Sequence, residues 1–282
     1  MADPAFRFVR QGGITFCQST VLGDLDFMLH AFGTRQGGNS TGNFAGLNLS
    51  YRQGDEAGQV RANWEALALA FDIAPEQFLT VRQVHGDDVL TIDDSRLIPE
   101  RDAGGPGEER EPPLCFDAII TNQPGLAIGI KTADCVPILL VDPVRRVIAA
   151  VHAGWKGTAR RIVSRVCDIL RRRFACRMED LNVAIGPAIG PCCYEVDLRV
   201  WEAMGGLSER ESFFHSPGKG GRWMLDLALA NRLQLLDAGV PEAHVQAAHL
   251  CTSCRRHLFF SHRGSGGATG RQFNFILLKG DQ

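Results

Sequence analysis

The chain has 282 residues, of which 45% are hydrophobic and 22% are charged, a balance typical of a soluble globular protein. Its formal net charge of −2 gives no general attraction to nucleic acid or to an anionic membrane, and no apolar run approaches the roughly 20 residues that span a bilayer. The first residues, MADPAFRFVRQGG, show no secretory signal, and nine unevenly spread cysteines are typical of reduced thiols. We therefore expect a cytoplasmic protein without a membrane or nucleic-acid partner.

Short strands and one helix are predicted for the first third of the chain. Gly12 and Gly13 predict the turn of a hairpin over residues 5–17, and FMLHAF predicts a strand that leads into a polar, glycine-rich loop. Apolar residues three or four positions apart predict a helix over 55–71. The segment QFLTVRQVHGDDVLTID then predicts two strands joined by a tight turn at His85.

The rest of the chain alternates apolar strands with helices. Residues 93–113 have no periodicity and much charge, Gly and Pro, so we interpret them as a mobile surface insertion. Four nearly continuous apolar runs predict strands of a sheet covered on both faces: FDAIITN, GLAIGIKT, VPILLVD and VIAAVHA. Helices are predicted over 158–174 and 225–240, and further strands in LNVAIG, VQAAHL and FNFILL. One α/β domain over residues 1–282 with a mixed sheet is the simplest prediction.

His85, Cys135 and His152 are the first candidates for chemistry. Two imidazoles and one thiolate suit zinc, and three protein ligands leave the fourth tetrahedral position open for water or substrate. The spacings of 50 and 17 residues match no local zinc-finger pattern. The same residues also suit a Cys135 nucleophile with His152 as its base. The residues alone therefore leave open a metal site, a thiol nucleophile, or a buried cysteine with two hydrogen-bonded histidines.

Four further cysteines occur in two pairs. The sequence CTSC, Cys251 to Cys254, has no second CxxC to complete a four-cysteine site and lacks the context of a thioredoxin motif. We interpret it as a loop with two incidental thiols. The adjacent Cys192 and Cys193 are interpreted as packing residues, because vicinal disulfides are strained.

Basic residues occur in two settings. The arginines of the 158–174 helix have no interleaved aromatics in a slightly acidic chain, so they predict a solvated helix face. Arg35, Lys131 and Arg271 lie in or beside polar, glycine-containing stretches, where a cation could hold a phosphate or another anionic group. For each of these three alone, a surface salt bridge is the simpler role.

Six motifs together resemble one known family. They are FGTRQGGNSTGNFAGLNLS, QVHGDDV, TADCVPILLVDP, AAVHAGWKGT, AIGPAIGPCCYEV and CTSCRRHLFFSHRGSGGATGRQFNFILL, in the family's order over about residues 27–278. The chain thus resembles the YfiH-like family. That family has been called the polyphenol oxidase or laccase-domain family and, more recently, a family of purine nucleoside phosphorylases.

The resemblance implies a fold, a ligand set and an activity. The fold would be an α/β (α+β) sandwich of two packed mixed sheets with helices outside, in the order α/β/β/α, related to a toxin deamidase with a Cys–His pair. The zinc ligands and catalytic residues would be His85, Cys135 and His152. The activity would be phosphorolysis of adenosine, inosine, guanosine and methylthioadenosine, and hydrolytic deamination of adenosine. From charge and motif membership, the predicted substrate-binding residues are Arg35, Asn48 and Lys131.

Alternatives from other enzyme classes stay open. One is a hydrolase or amidase with a Cys135 nucleophile that edits cell-wall precursors. Another is a polyphenol oxidase with copper instead of zinc, which fits less well because none of the eight histidines forms a His-x-His pair. A structural zinc protein without catalysis is the non-enzymatic alternative.

Two residues within the motifs carry no assigned role. Alternation along a strand predicts that Asp134 points away from Cys135, so we assign it no acid or base function. His262 stands where the family motif leads us to expect an aromatic residue such as Tyr. It could alter substrate preference or add a ligand near the pocket, and a surface role is simpler.

Overall fold

The computed structural model describes residues 5–97, 114–218 and 221–280, and of the predicted 93–113 insertion only residues 93–97 lie in these ranges. The strands described are β1 Phe6–Gln11, β2 Ile14–Ser19, β3 Met28–Gly33, β4 Phe78–Leu79, β5 Val89–Ile92, β6 Ala118–Thr121, β7 Ala127–Thr132, β8 Val136–Asp142, β9 Val147–Ala153, β10 Asn182–Ile185, β11 Glu195–Val196, β12 Phe214–Gly218, β13 Arg222–Leu225, β14 Val245–Ala247 and β15 Gln272–Leu278. The helices described are α1 Thr20–Gly23, α2 Ala57–Phe71, α3 Trp155–Ala159, α4 Ile162–Phe174, α5 Leu198–Ala203, α6 Arg210–Phe213 and α7 Leu227–Asp237. Within the described ranges, no helix has the length and apolar character needed to cross a membrane.

Two six-stranded sheets form the centre of the protein. Sheet I has the strand order β1-β2-β3-β15-β7-β4, and sheet II has the order β14-β10-β8-β9-β6-β5. Both are mixed, because β4 pairs parallel with β7, β5 with β6, and β10 with β14, whereas the other pairs are antiparallel. A small sheet, β11-β13-β12, lies apart from these two. The predicted hairpin over residues 5–17 is confirmed by the antiparallel pairing of β1 with β2.

The core divides into three layers because side chains alternate between the two faces of each strand. Between the sheets, Ile276 of β15 and Leu139 of β8 belong to one buried cluster. On the outer face of sheet I, Phe273 packs against Trp64 of α2, with ring centroids 4.8 Å apart. On the outer face of sheet II, Leu140 is buried in the cluster that includes the apolar faces of α4 and α7. The observed order α/β/β/α confirms the predicted sandwich.

The helix predicted over 158–174 is two helices, so this prediction is wrong in part. α3 ends at Ala159 and α4 begins at Ile162, and between them Arg161 adopts a left-handed φ of 60°. α3 lies against the turn that contains His85, since a Cβ at Gly157 would lie only 2.7 Å from the Gly86 carbonyl oxygen. The close approach orients α3 toward this turn, whereas α4 is oriented by its apolar face on sheet II.

Candidate active site

Two central strands and one turn supply the three predicted ligands. β8 and β9 pair antiparallel with Pro137 opposite His152. Cys135, just before β8, therefore lies beside Gly154, just after β9. His85 occupies the turn between β4 and β5 with a φ of 58°, which is uncommon for a residue other than glycine.

The ligand atoms of His85, Cys135 and His152 lie within 4.8 Å of one another. The two imidazole rings meet edge to face, with centroids 4.8 Å apart and an interplanar angle of 82°. His152 is buried, Cys135 is half-buried and His85 is exposed, so the cluster opens to solvent on the side of His85. The fold thus brings together three residues that are 50 and 17 positions apart in the sequence.

Asp117 is a residue at the ligand cluster that the sequence analysis missed. Its Oδ1 lies 2.7 Å from Nδ1 of His152, and its carboxylate accepts backbone N–H bonds from Val84, His85 and Gly86 at 3.2, 3.0 and 2.6 Å. One fully buried carboxylate therefore orients an imidazole and holds the left-handed turn of the other histidine. The sequence did offer a signal for Asp117, an ionisable residue at the start of the apolar run FDAIITN. A carboxylate buried in such a run needs a charged or hydrogen-bonding partner.

The ionisable groups of the site each favour the charged form of their neighbours. Burial disfavours ionisation of Asp117, but the hydrogen bonds and charge of His152 and the backbone N–H donors lower the pKa of its carboxyl. Burial alone would lower the pKa of His152, and the charges and hydrogen bonds of Cys135 and Asp117 raise it instead. Burial alone would raise the pKa of the Cys135 thiol, and the two histidines lower it. A deprotonated sulfur is the form that both metal binding and nucleophilic attack require.

The three residues fit a zinc ion. Because the Asp117 carboxylate is ionised, Nδ1 of His152 keeps its proton and donates a hydrogen bond to it. A metal ion would therefore bind at Nε2 and displace the proton from that nitrogen. A Cβ at Gly154 would lie 3.0 Å from Cδ2 of His85 and 3.2 Å from Sγ of Cys135, so glycine keeps the space among the ligands free. Two imidazoles and a thiolate with a fourth side open match the donor set of a catalytic zinc site.

The cluster forms part of the wall of a cavity of about 400 Å3. This volume falls within the range of about 300–1,000 Å3 that is usual for small-molecule sites. Two aromatic residues and four cations are among the other residues that line it: Trp155, Tyr194, Arg52, Lys131, Arg263 and Arg271. Aromatic rings and cations in one cavity can hold a flat ring and an anionic group together.

Asp134 also lines the cavity, whereas the sequence analysis predicted that its side chain points away from Cys135 and assigned it no role. The prediction assumed strand alternation, but β8 begins only at Val136 and Asp134 has a φ of 92°. Its carboxylate accepts hydrogen bonds from Thr252 Oγ1 and from the backbone N–H of Arg263, both at 2.6 Å. Both oxygens are thus engaged in holding the C-terminal loops against the site.

Of the three predicted substrate-binding residues, Lys131 lines the cavity and the other two do not. The Arg35 guanidinium donates to the carbonyl oxygens of Ala45 and Arg256 at 2.9 and 3.0 Å, and it lies over the ring of Phe260. These contacts shape the glycine-rich loop against the C-terminal segment.

Asn48 is fully buried beneath the cavity wall. Its Oδ1 accepts the backbone N–H of Arg271 at 2.9 Å and that of Ser50 at 3.1 Å, so it positions the backbone of two cavity-lining residues. His262 lines the cavity, and its Nδ1 lies 2.9 Å from the carbonyl oxygen of Gly267.

Comparison with known proteins decides the family. The family model described as "Multi-copper polyphenol oxidoreductase laccase" matches residues 29–279. The chain belongs to this family. The purine nucleoside phosphorylase YlmD of Geobacillus stearothermophilus is 41% identical over 250 residues, which cover 86% of this chain and 87% of the relative. The adenosine deaminase RL5 from an unknown prokaryotic organism is 34% identical over 257 residues, 89% of this chain and 94% of the relative.

Solved structures of this family share the fold. YlmD from Geobacillus stearothermophilus superposes with a TM-score of 0.87 at 35% identity, covering 97% of this chain and 99% of its own. YfiH from Bacillus licheniformis gives a TM-score of 0.88 at 32% identity, covering 98% of this chain and 100% of its own. The resemblance to the YfiH-like family that the motifs indicated is confirmed.

Proposed function

We propose that this protein is a zinc-dependent purine nucleoside phosphorylase that also deaminates adenosine. The observation that carries the proposal is the cluster of His85, Cys135 and His152, oriented by Asp117 in the wall of a cavity with cations and aromatic rings. Relatives of the chain carry the names of both activities. The proposed substrates are phosphate together with adenosine, inosine, guanosine or methylthioadenosine, and adenosine alone for deamination.

The ligand residues would act as a preorganised set. Zinc bound there supplies a Lewis acid that lowers the pKa of water to about 7. His152 would bind through Nε2, since Asp117 engages its Nδ1 proton, and Cys135 would bind as the thiolate. Asp117 also holds the backbone of His85 in place, so one carboxylate orients two of the three ligands.

Lys131, Arg263 and Arg271 are the proposed phosphate-binding residues. Nη1 of Arg263 donates to the Glu195 carbonyl oxygen at 2.9 Å, and Nη1 of Arg271 donates to that of Thr269 at 2.9 Å, so both side chains are held in place. In phosphorolysis, a phosphate oxygen forms a bond to C1′ of the ribose while the bond from C1′ to the base breaks. Fixed cations would hold the attacking anion and neutralise its charge without reorganising.

Trp155 and Tyr194 are the proposed contacts for the purine ring. Both line the cavity, and an aromatic face is a good surface for a flat heterocycle. Burial is the largest of the effects that raise the pKa of Tyr194, so its hydroxyl stays protonated at neutral pH and is able to donate a hydrogen bond.

A second candidate function has a specific basis. The Sγ of Cys135 shares one compact cluster with the imidazole of His152, whose other nitrogen is held by Asp117. This arrangement of thiol, imidazole and carboxylate also suits a hydrolase or amidase with a cysteine nucleophile. Its activity would persist after chelation of the metal, whereas that of the leading proposal would not.

Turnover of adenosine by the zinc-loaded protein tests the proposal. Adenosine is incubated with and without phosphate, and adenine, ribose phosphate and inosine are measured by mass spectrometry. We expect adenine and ribose phosphate when phosphate is present, inosine in both reactions, and no product from Cys135→Ala. Cys115→Ala is the matched control, because Cys115 is an exposed thiol outside the cluster.

The outcomes separate the candidates. No product from folded, zinc-loaded protein would overturn the nucleoside proposal, and so would equal turnover by wild type and Cys135→Ala. Amide hydrolysis that resists a chelator would favour the thiol hydrolase. Oxygen consumption with phenols and copper would favour the polyphenol oxidase.

A further inference from the structure

Four cysteines gather beside the cavity in a group separate from the proposed catalytic residues. This cysteine cluster consists of Cys192, Cys193, Cys251 and Cys254. Among the residues that the structure describes, it is one of two compact groups of His, Cys, Asp or Glu side chains able to hold a metal ion. The sequence analysis interpreted its two halves separately, as incidental thiols and as packing.

Strand pairing explains why the two halves meet. β10 and β14 are parallel neighbours, and the contact continues past their ends through N–H bonds from Ala248 to Ile185 O at 2.8 Å and from Thr252 to Ala188 O at 3.0 Å. Parallel neighbours end at the same edge of a sheet. The loop after β10, which contains Cys192 and Cys193, therefore lies next to the segment after β14, which contains Cys251 and Cys254.

The sulfur positions fit one tetrahedral metal ion. All four Sγ atoms lie within 4.8 Å of one another, and that of Cys254 is 3.5 Å from Cys192 Sγ and 3.4 Å from Cys193 Sγ. With Zn–S bonds of about 2.3 Å, tetrahedral geometry places neighbouring sulfurs about 3.8 Å apart. An iron–sulfur cluster puts several iron and sulfide atoms among its four thiolates and requires a wider spacing.

Ordinary packing does not account for the cluster. Cysteines that pack as small hydrophobic residues are buried, as Cys17 and Cys167 are here. In contrast, Cys192 and Cys254 are exposed, and the other two members are only partly buried. In addition, the backbone N–H of Gly190 donates to Sγ of Cys251 at 3.3 Å, a bond that is stronger when the sulfur is a thiolate.

We propose that the cysteine cluster binds a second zinc ion in a closed, structural site of four thiolates. Each thiol releases its proton on binding, so one Zn²⁺ displaces four protons and the filled site carries a charge of −2. The ion joins the loop that ends at Tyr194, a cavity-lining residue, to the segment of Thr252, whose hydroxyl bonds Asp134 at 2.6 Å. It therefore stabilises one wall of the cavity without contacting the substrate.

Metal analysis of the full-length chain tests the proposal. The protein is purified under reducing conditions, loaded with zinc, freed of excess metal and analysed by mass spectrometry for zinc per chain. We expect two zinc ions in wild type and in the control Cys115→Ser, and one each in Cys135→Ala and Cys254→Ser. Cobalt loaded into Cys135→Ala should give the intense thiolate-to-cobalt charge-transfer absorption of a tetrahedral tetrathiolate site.

Several results would overturn the proposal. They are the absence of zinc from folded Cys135→Ala, both ions retained in Cys254→Ser, iron in place of zinc, or a disulfide within the cluster of the reduced, zinc-loaded chain. If Cys254→Ser does not fold, thiol titration of folded Cys135→Ala decides instead. Chelation should then expose four additional reactive thiols, and an unchanged count overturns the proposal. Since Cys135→Ala retains the cysteine cluster, the outcome does not depend on nucleoside turnover.

Discussion

Acid should destabilise this protein through one buried histidine, His30. It lies in β3 with 2% of its surface exposed, and its Nε2 accepts the backbone N–H of Ser19 at 3.0 Å. Burial, followed by the charge of Arg7, lowers the pKa of His30 from 6.5 to about 4. The folded protein therefore holds a neutral imidazole over a pH range in which the unfolded chain is protonated.

The size of the effect follows from the two pKa values. As the pH falls below 6.5, His30 of the unfolded chain takes up a proton, whereas His30 of the folded protein stays neutral until about pH 4. The contribution of the neutral His30 to the free energy of unfolding is at its maximum above pH 6.5. It decreases as the pH falls and is lost below about pH 4. At about 1.36 kcal/mol per pH unit, the loss amounts to about 3 kcal/mol.

Denaturant unfolding of wild type and His30→Gln from pH 7.5 to pH 4 measures this loss. Glutamine is also able to accept the Ser19 N–H but does not titrate. Carboxyl groups and bound metal contribute equally to both proteins, so their contributions cancel when the two unfolding free energies are subtracted at each pH. We expect wild type to lose about 3 kcal/mol more than the variant over this range. His257→Gln, an exposed site, is the control and should follow wild type. Equal pH slopes for wild type and His30→Gln would refute the reasoning.

Three further variants, with Gly58→Ala as the control for one of them, test the site and the core. Asp117→Asn should lower zinc affinity about 10–100-fold, because an uncharged amide accepts the hydrogen bond of His152 Nδ1 less strongly than a carboxylate. Unchanged affinity in a chelator competition titration would contradict this. Gly186→Ala puts a Cβ 2.1 Å from the Phe32 ring and should lower the unfolding free energy by about 1–3 kcal/mol. Gly58→Ala meets no atom within 4 Å and should be neutral or slightly stabilising, so equal effects of the two substitutions in denaturant unfolding would refute the packing argument. Lys131→Met should raise the KM for phosphate in steady-state kinetics, and an unchanged KM would remove this residue from the anion site.

Local patterns predicted most of the secondary structure. The hairpin over residues 5–17 and the helix over 55–71 are present as β1–β2 and α2, because glycine turns and apolar periodicity act within a few residues. The predicted helix over 158–174 was less accurate. It is broken at Arg161, and Gly157 of α3, before the break, contacts the His85 turn, which belongs to a distant part of the chain.

The candidate site shows the same division between local and tertiary information. The sequence motifs identified His85, Cys135 and His152, and the structure gathers these three side chains. The motifs did not indicate Asp117, whose role depends on a 2.7 Å contact across 35 positions. They placed Arg35 with the substrate, yet its guanidinium is bound by carbonyl groups outside the cavity lining.

The sequence by itself determined the family, the strand-rich centre and the three residues at the proposed metal site, because each is recorded in contiguous segments of the chain. Only the tertiary structure decided the buried carboxylate that orients them and the meeting of Cys192 and Cys193 with Cys251 and Cys254. The physical reason is that hydrogen bonds and metal sites depend on distances of a few ångströms between side chains. Those distances are set by how strands pair and sheets pack, and not by separation along the chain.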